Sequence, residues 1–171
     1  MEGEAHIFLN KFDLAGNLVW SRTHNISYSN WGKRLYGDGN FVYITGDYME
    51  KDTFRSSLFV LKYNAEGLLL WNATWNHSHS DHIGDLAIHA GDIYTTGSTN
   101  ENGPSDLVLM KWDFDGNLIW NKTWGTPEID AGACLIVDDI GIITVGSTDF
   151  HCSFRSEKRR VGKECRSRWS P

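Results

Sequence analysis

Three stretches of the chain are near-copies of one another: KFDLAGNLVW at 11–20, KYNAEGLLLW at 62–71 and KWDFDGNLIW at 111–120. Their first residues lie 51 and then 49 residues apart. A period of about 50 residues is typical of repeat proteins, in which one small unit buries its faces only against its neighbours. The repeat therefore predicts a fold class more firmly than it predicts a function.

Each period holds four candidate strands separated by turn residues. In the third period these are 106–114, 116–124, 132–139 and 141–148, which are rich in Val, Ile, Trp and Thr. Runs such as LFVL, LVLM and CLIV are apolar at consecutive positions, so both faces of those strands must be shielded from water. Four-stranded antiparallel sheets stacked around an axis give this double coverage. We predict an all-β chain: an incomplete β-propeller, with about three units' worth of strands in an open arc.

Glycine and tryptophan recur at equivalent places in the three units. One glycine separates the two strands of each copy, where a tight hairpin needs a positive φ: Gly16, Gly67 and Gly116. A tryptophan follows four residues later and is predicted to wedge between neighbouring sheets: Trp20, Trp71 and Trp120. The alternative for these rings is an aromatic cage for carbohydrate. A second set of glycines is predicted to end the next hairpin: Gly46, Gly97 and Gly146.

The last seventeen residues, 155–171, differ in composition from the rest. They carry seven basic and two acidic residues, whereas the chain through Phe154 has a net charge of −11. Their sequence closely resembles the translation of a common short-read sequencing adapter; sixteen of seventeen positions match, and Lys158 stands where that translation has Glu. We therefore predict a non-native, disordered tail. The alternative is a basic arm that binds nucleic acid or an acidic surface.

The remaining composition excludes several classes of protein. The two cysteines before the tail, Cys134 and Cys152, form no CxxC pair. Cys134 lies in the apolar run ACLIV and is predicted to be a small buried hydrophobe. The acidic balance argues against nucleic-acid binding, which needs clustered Lys and Arg. No stretch approaches the roughly 20 apolar residues of a membrane span.

The repeat also resembles a known family. The pattern K-x-D-x-x-G-N-L-x-W, followed by a D-x-G unit and a strand that ends in G-S-T, is similar to the SBBP-type β-propeller repeats of bacterial and archaeal surface proteins. The resemblance covers about 5–154, and the third unit fits best, with DAG at 130–132. The second unit has HIG at 82–84 in the place of D-x-G, and the first has NWG at 30–32.

The resemblance implies how the strands are arranged. In such repeats the D-x-G unit introduces the strand nearest the axis, so 83–89 and 132–138 are expected to be inner strands and 117–124 an outer one. The chain then begins with the outer half of one sheet, contains two whole sheets and closes with the inner half of a fourth. The repeats are expected at about 5–56, 57–105 and 106–154, within a partial propeller over 1–154. We expect a fragment that is not a stable monomer, because its end sheets have unpaired edges.

Two further sets of residues are candidate sites. The segment HSHSDH has metal-ligand chemistry, but its default interpretation is a solvated loop rather than a metal site: His77, His79, Asp81 and His82. Two equivalent N-x-T sequons lie on a strand expected at the outer rim and are possible glycosylation sites: Asn72 and Asn121. Their alternative is an ordinary strand with alternating aromatic and polar faces.

The predicted function is non-catalytic. The sequence has no nucleophile elbow, no HExxH motif and no phosphate-binding loop, and it implies no cofactor. The family resemblance implies a binding or scaffolding module of an exported or cell-surface microbial protein. Its partners would be the remaining propeller sheets and a protein or carbohydrate ligand. The alternative is a fragment of a propeller enzyme, either quinoprotein-like, since GNLVW and GNLIW match a Gly-x-x-x-Trp motif, or a glycan-active hydrolase.

Overall fold

The structure, a computed structural model, describes residues 5–101 and 103–149. Within these residues the chain forms twelve β-strands, so the all-β prediction is confirmed. In chain order the strands are β1 Ile7–Phe12, β2 Leu18–His24, β3 Ser29–Gly37, β4 Phe41–Met49, β5 Ser56–Asn64, β6 Leu69–Trp75, β7 His82–His89, β8 Asp92–Thr99, β9 Asp106–Trp112, β10 Leu118–Trp124, β11 Ile129–Val137 and β12 Ile142–Asp149. The predicted tail and Cys152 lie outside the described residues.

The strands form four antiparallel sheets in simple up-and-down order. Strands β3 to β6 form one four-stranded sheet, here called the first sheet, and β7 to β10 form the second sheet. Strands β1 and β2 form a two-stranded N-terminal pair, and β11 and β12 form a C-terminal pair. The prediction of four-stranded antiparallel sheets is confirmed. No helix in the described part of the chain is long and apolar enough to cross a membrane.

Strand β5 is covered on both faces. Leu58 and Val60 lie in an apolar core that the first sheet shares with the second sheet. Phe59 and Leu61 point the opposite way, into a core shared with the N-terminal pair. All four side chains are fully buried. Since successive residues of a strand face opposite sides, both faces of β5 must be covered. The consecutive apolar positions of this strand are therefore explained by a sheet on each side.

Neighbouring sheets approach one another most closely along one edge, through β3, β7 and β11. At Gly84 of β7 an added β-carbon would lie 2.0 Å from the carbonyl oxygen of Gly132 on β11. A β-bulge interrupts the pairing of each of these strands, between Gly32 and Arg34 in the first case. The edge strands β6 and β10 lie at the opposite side of their sheets.

The second set of repeated glycines does not end hairpins. These residues lie inside β4, β8 and β12, opposite the bulges: Gly46, Gly97 and Gly146. An added β-carbon at Gly97 would lie 1.9 Å from the carbonyl oxygen of His82. The prediction about their position was wrong because the requirement for glycine comes from close cross-strand approach rather than from a turn.

The C-terminal pair is covered on one face only. Leu135 is buried, whereas Ile136, Ile143 and Val145 are each more than 60% exposed. Cys134 pairs with Val145 across the two strands and is exposed on the same face. The prediction that Cys134 is buried was therefore wrong, because an apolar run does not reveal that one of its faces lacks a covering sheet.

Candidate functional site

Repeated side chains join each sheet to the next one. Each of the three repeated stretches, 11–20, 62–71 and 111–120, is here called a cassette and begins with a lysine. The lysines of the first two cassettes donate a hydrogen bond to a carbonyl oxygen in the turn of the next cassette. Lys11 Nζ lies 3.1 Å from the Ala65 oxygen, and Lys62 Nζ lies 3.2 Å from the Phe114 oxygen. Ala65 and Phe114 occupy the same place in their cassettes, two residues before the turn glycine. We call this arrangement, with the tryptophan described next, the junction.

The repeated tryptophans rest on the turn glycines of the next unit. An added β-carbon would lie 3.1 Å from the Trp20 ring at Gly67 and 2.9 Å from the Trp71 ring at Gly116. Both glycines have positive φ, +77° and +87°, which suits glycine and disfavours other residues. Trp71 Nε1 also donates to the Phe114 oxygen at 3.2 Å. The two tryptophan rings therefore rest on equivalent glycines, although only Trp71 also makes a hydrogen bond to the turn.

Lys62 is almost completely buried at the second junction, with 2% of its surface exposed. Its ammonium lies over the rings of Phe114 and Phe41, at 2.8 and 4.3 Å from their centroids. Burial lowers the pKa of Lys62, and the charges of Asp115 and Asp38 act against that shift. Aromatic faces and a carbonyl oxygen take the place of water around this cation. The amine therefore holds two sheets together rather than meeting a ligand.

Replacing Lys62 by alanine is expected to lower the free energy of unfolding by about 2–3 kcal/mol, since it empties a packed site and removes one of the two hydrogen bonds to the Phe114 oxygen. The matched control is Lys11→Ala, which removes the exposed lysine at the same repeat position and should cost less than about 0.5 kcal/mol. Urea unfolding followed by tryptophan fluorescence measures both. Equal losses in the two variants would show that burial of Lys62 contributes nothing.

A polar cluster lies where the first sheet meets strand β7. The buried carboxylate of Asp47 accepts hydrogen bonds from His82 Nδ1 and from the Ile83 backbone N–H, each at 2.9 Å. It also contacts the ammonium of Lys33. Burial alone would raise the pKa of Asp47, but the hydrogen bonds from His82, Lys33 and Ile83 together hold it below its ordinary value. The carboxylate stays ionised and links β3, β4 and β7.

The lowered pKa of Asp47 predicts a pH dependence of stability. A carboxyl group whose pKa is lower in the folded state stabilises the fold above its unfolded-state pKa, and this contribution is lost as the pH falls through the folded value. Asp47→Asn should cost about 1–3 kcal/mol at pH 7. The difference from the parent should shrink as the pH is lowered below about 4. Urea unfolding at pH 7 and pH 3 measures this; an unchanged difference would contradict the ionic role.

The same cluster contains an ordered series of three groups. His82 lies between Asp47 and Ser80, with its Nε2 atom 2.9 Å from Ser80 Oγ. Carboxylate, imidazole and hydroxyl in this order can activate a serine as a nucleophile. The backbone N–H of Ser80 already donates to the Asn100 side chain at 2.8 Å, so it is not free to stabilise an oxyanion.

A second polar link runs through strands β3, β7 and β11. Arg34 of β3 lies 3.4 Å from the Asp85 carboxylate of β7. Asp85 in turn accepts a hydrogen bond from the Leu135 backbone N–H of β11, at 3.0 Å. The pair joins the first sheet, the second sheet and the C-terminal pair. These charges therefore serve contacts between sheets.

The structure does not bring the candidate metal ligands of the histidine-rich loop together. His77 pairs with Glu101 at 2.9 Å and stacks on Trp75, while His82 turns to Asp47. Asp81 is fully buried and does not face the histidines as a free ligand. His79 is exposed. Among the described residues, no group of three potential ligands is close enough to hold a metal ion.

Asp81 is instead the buried anchor of its loop. Its carboxylate accepts hydrogen bonds from the backbone N–H groups of His77 and Ser78 and from the hydroxyls of Ser78 and Thr99. In the third unit Asp130 accepts equivalent bonds from the backbone N–H and hydroxyl of Thr126, and in the first unit Asn30 Oδ1 accepts from the backbone N–H of Ile26. The predicted alignment of HIG at 82–84 with DAG at 130–132 was wrong by one residue, because it matched glycines rather than the loop-closing carboxylates. Residues 81–83 are the equivalent of 130–132. A period of 49 residues between Asp81 and Asp130 was the available signal.

The two sequon asparagines lie on equivalent edge strands. Asn72 is on β6 and Asn121 is on β10, and both are exposed. Their positions leave room for a glycan without requiring one. No protein-family model matches the chain, and a comparison with curated proteins finds no relative.

Proposed function

We propose that the chain is part of a β-propeller that serves as a non-catalytic binding or scaffolding segment of a larger exported or cell-surface microbial protein, of the SBBP-type repeat class. The observation that carries the proposal is the junction. Lysine and tryptophan of one unit meet the turn of the next at both places where consecutive cassettes adjoin. A joint that recurs in one direction allows units to be added in line, which is the property of a repeat scaffold.

The open ends of the sheet stack support the same proposal. Phe8 and Phe12 of the N-terminal pair are 72% and 56% exposed, and the C-terminal pair exposes Ile136 and Val145. Apolar faces of this kind mark interaction surfaces. Further propeller sheets are the partners that fit them, and a protein or carbohydrate ligand would bind the assembled scaffold. Asn72 and Asn121, on the outer edges, would then be accessible to glycan attachment.

The arrangement of strands also favours a propeller. Strands β3, β7 and β11 lie side by side and would surround the axis, while β6 and β10 lie at the opposite edges of their sheets. In a propeller each four-stranded sheet contacts only its two neighbours around the axis. The sheets described above are consistent with that order.

Completing the C-terminal pair tests the proposal. Residues 150–171 are replaced by a copy of residues 101–125, which contains the β9–β10 hairpin. If the C-terminal pair is half of a propeller sheet, the added hairpin pairs with β12 and covers Trp120. The free energy of unfolding should rise by about 2 kcal/mol or more, and the fluorescence of Trp120 should shift to shorter wavelength.

The control is the same extension with valine in place of Gly116 of the copy. Valine is disfavoured at the positive φ of that turn and removes the surface on which Trp120 would rest. It should lose most of the gain. An extension that stabilises the chain no more than this control would overturn the proposal.

A second candidate function, acyl-transfer hydrolysis by a propeller enzyme, is favoured by the series Ser80–His82–Asp47. Covalent labelling by a fluorophosphonate probe tests it. Ser80→Ala should abolish labelling, whereas Ser29→Ala should not, because Ser29 has the same repeat position but has Trp31 where Ser80 has His82, two residues later. Absence of labelling in the parent chain would eliminate this candidate.

A further inference from the structure

The two ends of the sheet stack are complementary halves of one sheet. By the repeat, β1–β2 corresponds to β5–β6 and β9–β10, and β11–β12 corresponds to β3–β4 and β7–β8. In the described part of the chain, β1 pairs only with β2 and β12 only with β11. We infer that two copies of this chain associate head to tail, with β12 of each copy pairing with β1 of the other. The inference rests on the proposed open arc and goes beyond it by identifying the partner as a second copy.

The pairing of β4 with β5 gives the expected register. Gly46 lies opposite Phe59, and the tip of the Phe59 ring occupies the space beside this glycine, 2.7 Å from where a β-carbon would lie. By the repeat, the equivalent residues at the open ends are Gly146 of one copy and Phe8 of the other. The exposed Phe8 ring would therefore rest on Gly146 as Phe59 rests on Gly46.

A groove at the C-terminal end matches this phenylalanine face. It has a volume of about 470 Å³ and lies between the second sheet and the C-terminal pair, where Leu107, Leu109 and Trp124 line it. The residues of β5 that correspond to Leu107 and Leu109 are Leu58 and Val60, which the second sheet buries completely. Phe8 and Phe12 are both exposed on β1. They are four residues apart and so share the face that would enter the groove.

The residues of one further junction are divided between the two ends of the sheet stack. The lysine and tryptophan lie at the C-terminal end, and the turn lies at the N-terminal end. Lys111 and Trp120 are the lysine and tryptophan of the third cassette, and no fourth cassette turn follows them in the described residues. The turn at 13–16 is the matching half, and Gly16 has a φ of +87°. Lys111 lies 2.7 Å from Asp92, and its ammonium has further donors for a carbonyl of that turn.

A second cationic side chain at the C-terminal end, Lys122, also matches the turn at the N-terminal end. At the first junction Arg22 donates to the carbonyl oxygens of Glu66 and Gly67, at 3.1 and 3.0 Å. Lys122 holds the position of Arg22 at the open end and lines the groove. It would donate to the corresponding turn carbonyls of the second copy.

The count of sheets limits the assembly to two chains. The residues 5–101 and 103–149 of each chain contribute twelve strands, which is three sheets' worth, so these parts of two chains supply six sheets. Closed propellers contain about four to eight sheets. Head-to-tail contacts that close use both ends of both copies and leave none for a third. The expected species is therefore a ring of two chains rather than a filament.

Sedimentation equilibrium of the full chain tests this at concentrations on the order of 1 to 100 µM. The expected mass is twice the 19.4 kDa of one chain. Phe8→Asp should weaken the association by about 100-fold, because it places a charge in the groove. The matched control is Phe54→Asp, the same exchange at a residue that is 64% exposed in the loop between β4 and β5 and has a positive φ that aspartate tolerates. Its association should equal that of the parent.

A parent chain that is a folded monomer over this range would overturn the inference, and so would a filament that grows with concentration. Equal effects of Phe8→Asp and Phe54→Asp would overturn the interface. Circular dichroism of each variant establishes that it is folded. The hairpin extension described above separates the two proposals, since it can stabilise a single chain even when two chains do not associate.

Discussion

Replacing Gly97 by alanine is expected to prevent the chain from folding cooperatively. The new β-carbon would lie 1.9 Å from the carbonyl oxygen of His82 and 2.9 Å from its carbon. Both atoms belong to the backbone of β7, so no side-chain rotation relieves the overlap. The strands would have to separate at the place where the second sheet also meets Asp47. We expect a loss of at least about 4 kcal/mol in the free energy of unfolding.

The control for this substitution is Gly141→Ala. Gly141 lies in the turn between β11 and β12, where an added β-carbon meets no atom within 4 Å. Its effect should stay within about 0.5 kcal/mol. Urea unfolding and the far-ultraviolet circular dichroism spectrum measure both variants. If the free energy of unfolding of Gly97→Ala differed from that of the parent by less than about 1 kcal/mol, the close approach of these strands would be refuted.

Replacing Asp81 by alanine is expected to cost about 3–5 kcal/mol. The carboxylate is fully buried and accepts four hydrogen bonds, two from backbone N–H groups and two from hydroxyls. Alanine would leave all four donors without an acceptor and would leave a space in the loop that leads into β7. The loss should be measurable by urea unfolding at pH 7.

Asparagine at the same position provides the matched comparison. Asn30 fills the equivalent place in the first unit, where its side-chain oxygen accepts from the N–H groups of Ile26 and Ser27. Asp81→Asn should therefore retain the two backbone bonds and cost only about 1 kcal/mol. If Asp81→Asn and Asp81→Ala lost equal stability, the buried hydrogen bonds would not be the reason for the aspartate.

Much of the fold could be predicted from the sequence, because its strongest signals are local. A turn that needs a positive φ at Gly16, Gly67 and Gly116 is specified within four residues. Consecutive apolar positions on β5 predict a sheet on each side of this strand, and both sheets are present. The same reasoning failed at Cys134, because its pattern is that of a strand with two covered faces while only one neighbouring sheet is present.

The candidate site was harder to predict because its contacts join residues that are far apart in the chain. Asp47 and His82 are 35 residues apart, and nothing in their local sequence indicates that they meet. The burial of Lys62 depends on aromatic residues that are distant in sequence, Phe41 of β4 and Phe114 of the third cassette. Lys11 has the same local sequence pattern and remains exposed. Sequence patterns identify the repeated residue, whereas its energetic weight depends on the neighbour that it contacts.

The up-and-down strand order has a consequence for how quickly such a chain folds. Every ladder in the described residues joins strands that follow one another directly, from β1 with β2 to β11 with β12. Closing the short loop of each hairpin costs little conformational entropy, whereas packing one sheet on the next joins residues about one repeat apart, such as Gly84 and Gly132. Each hairpin can form as soon as it leaves the ribosome, without waiting for distant segments. The folding rate should therefore depend little on how many units the chain contains.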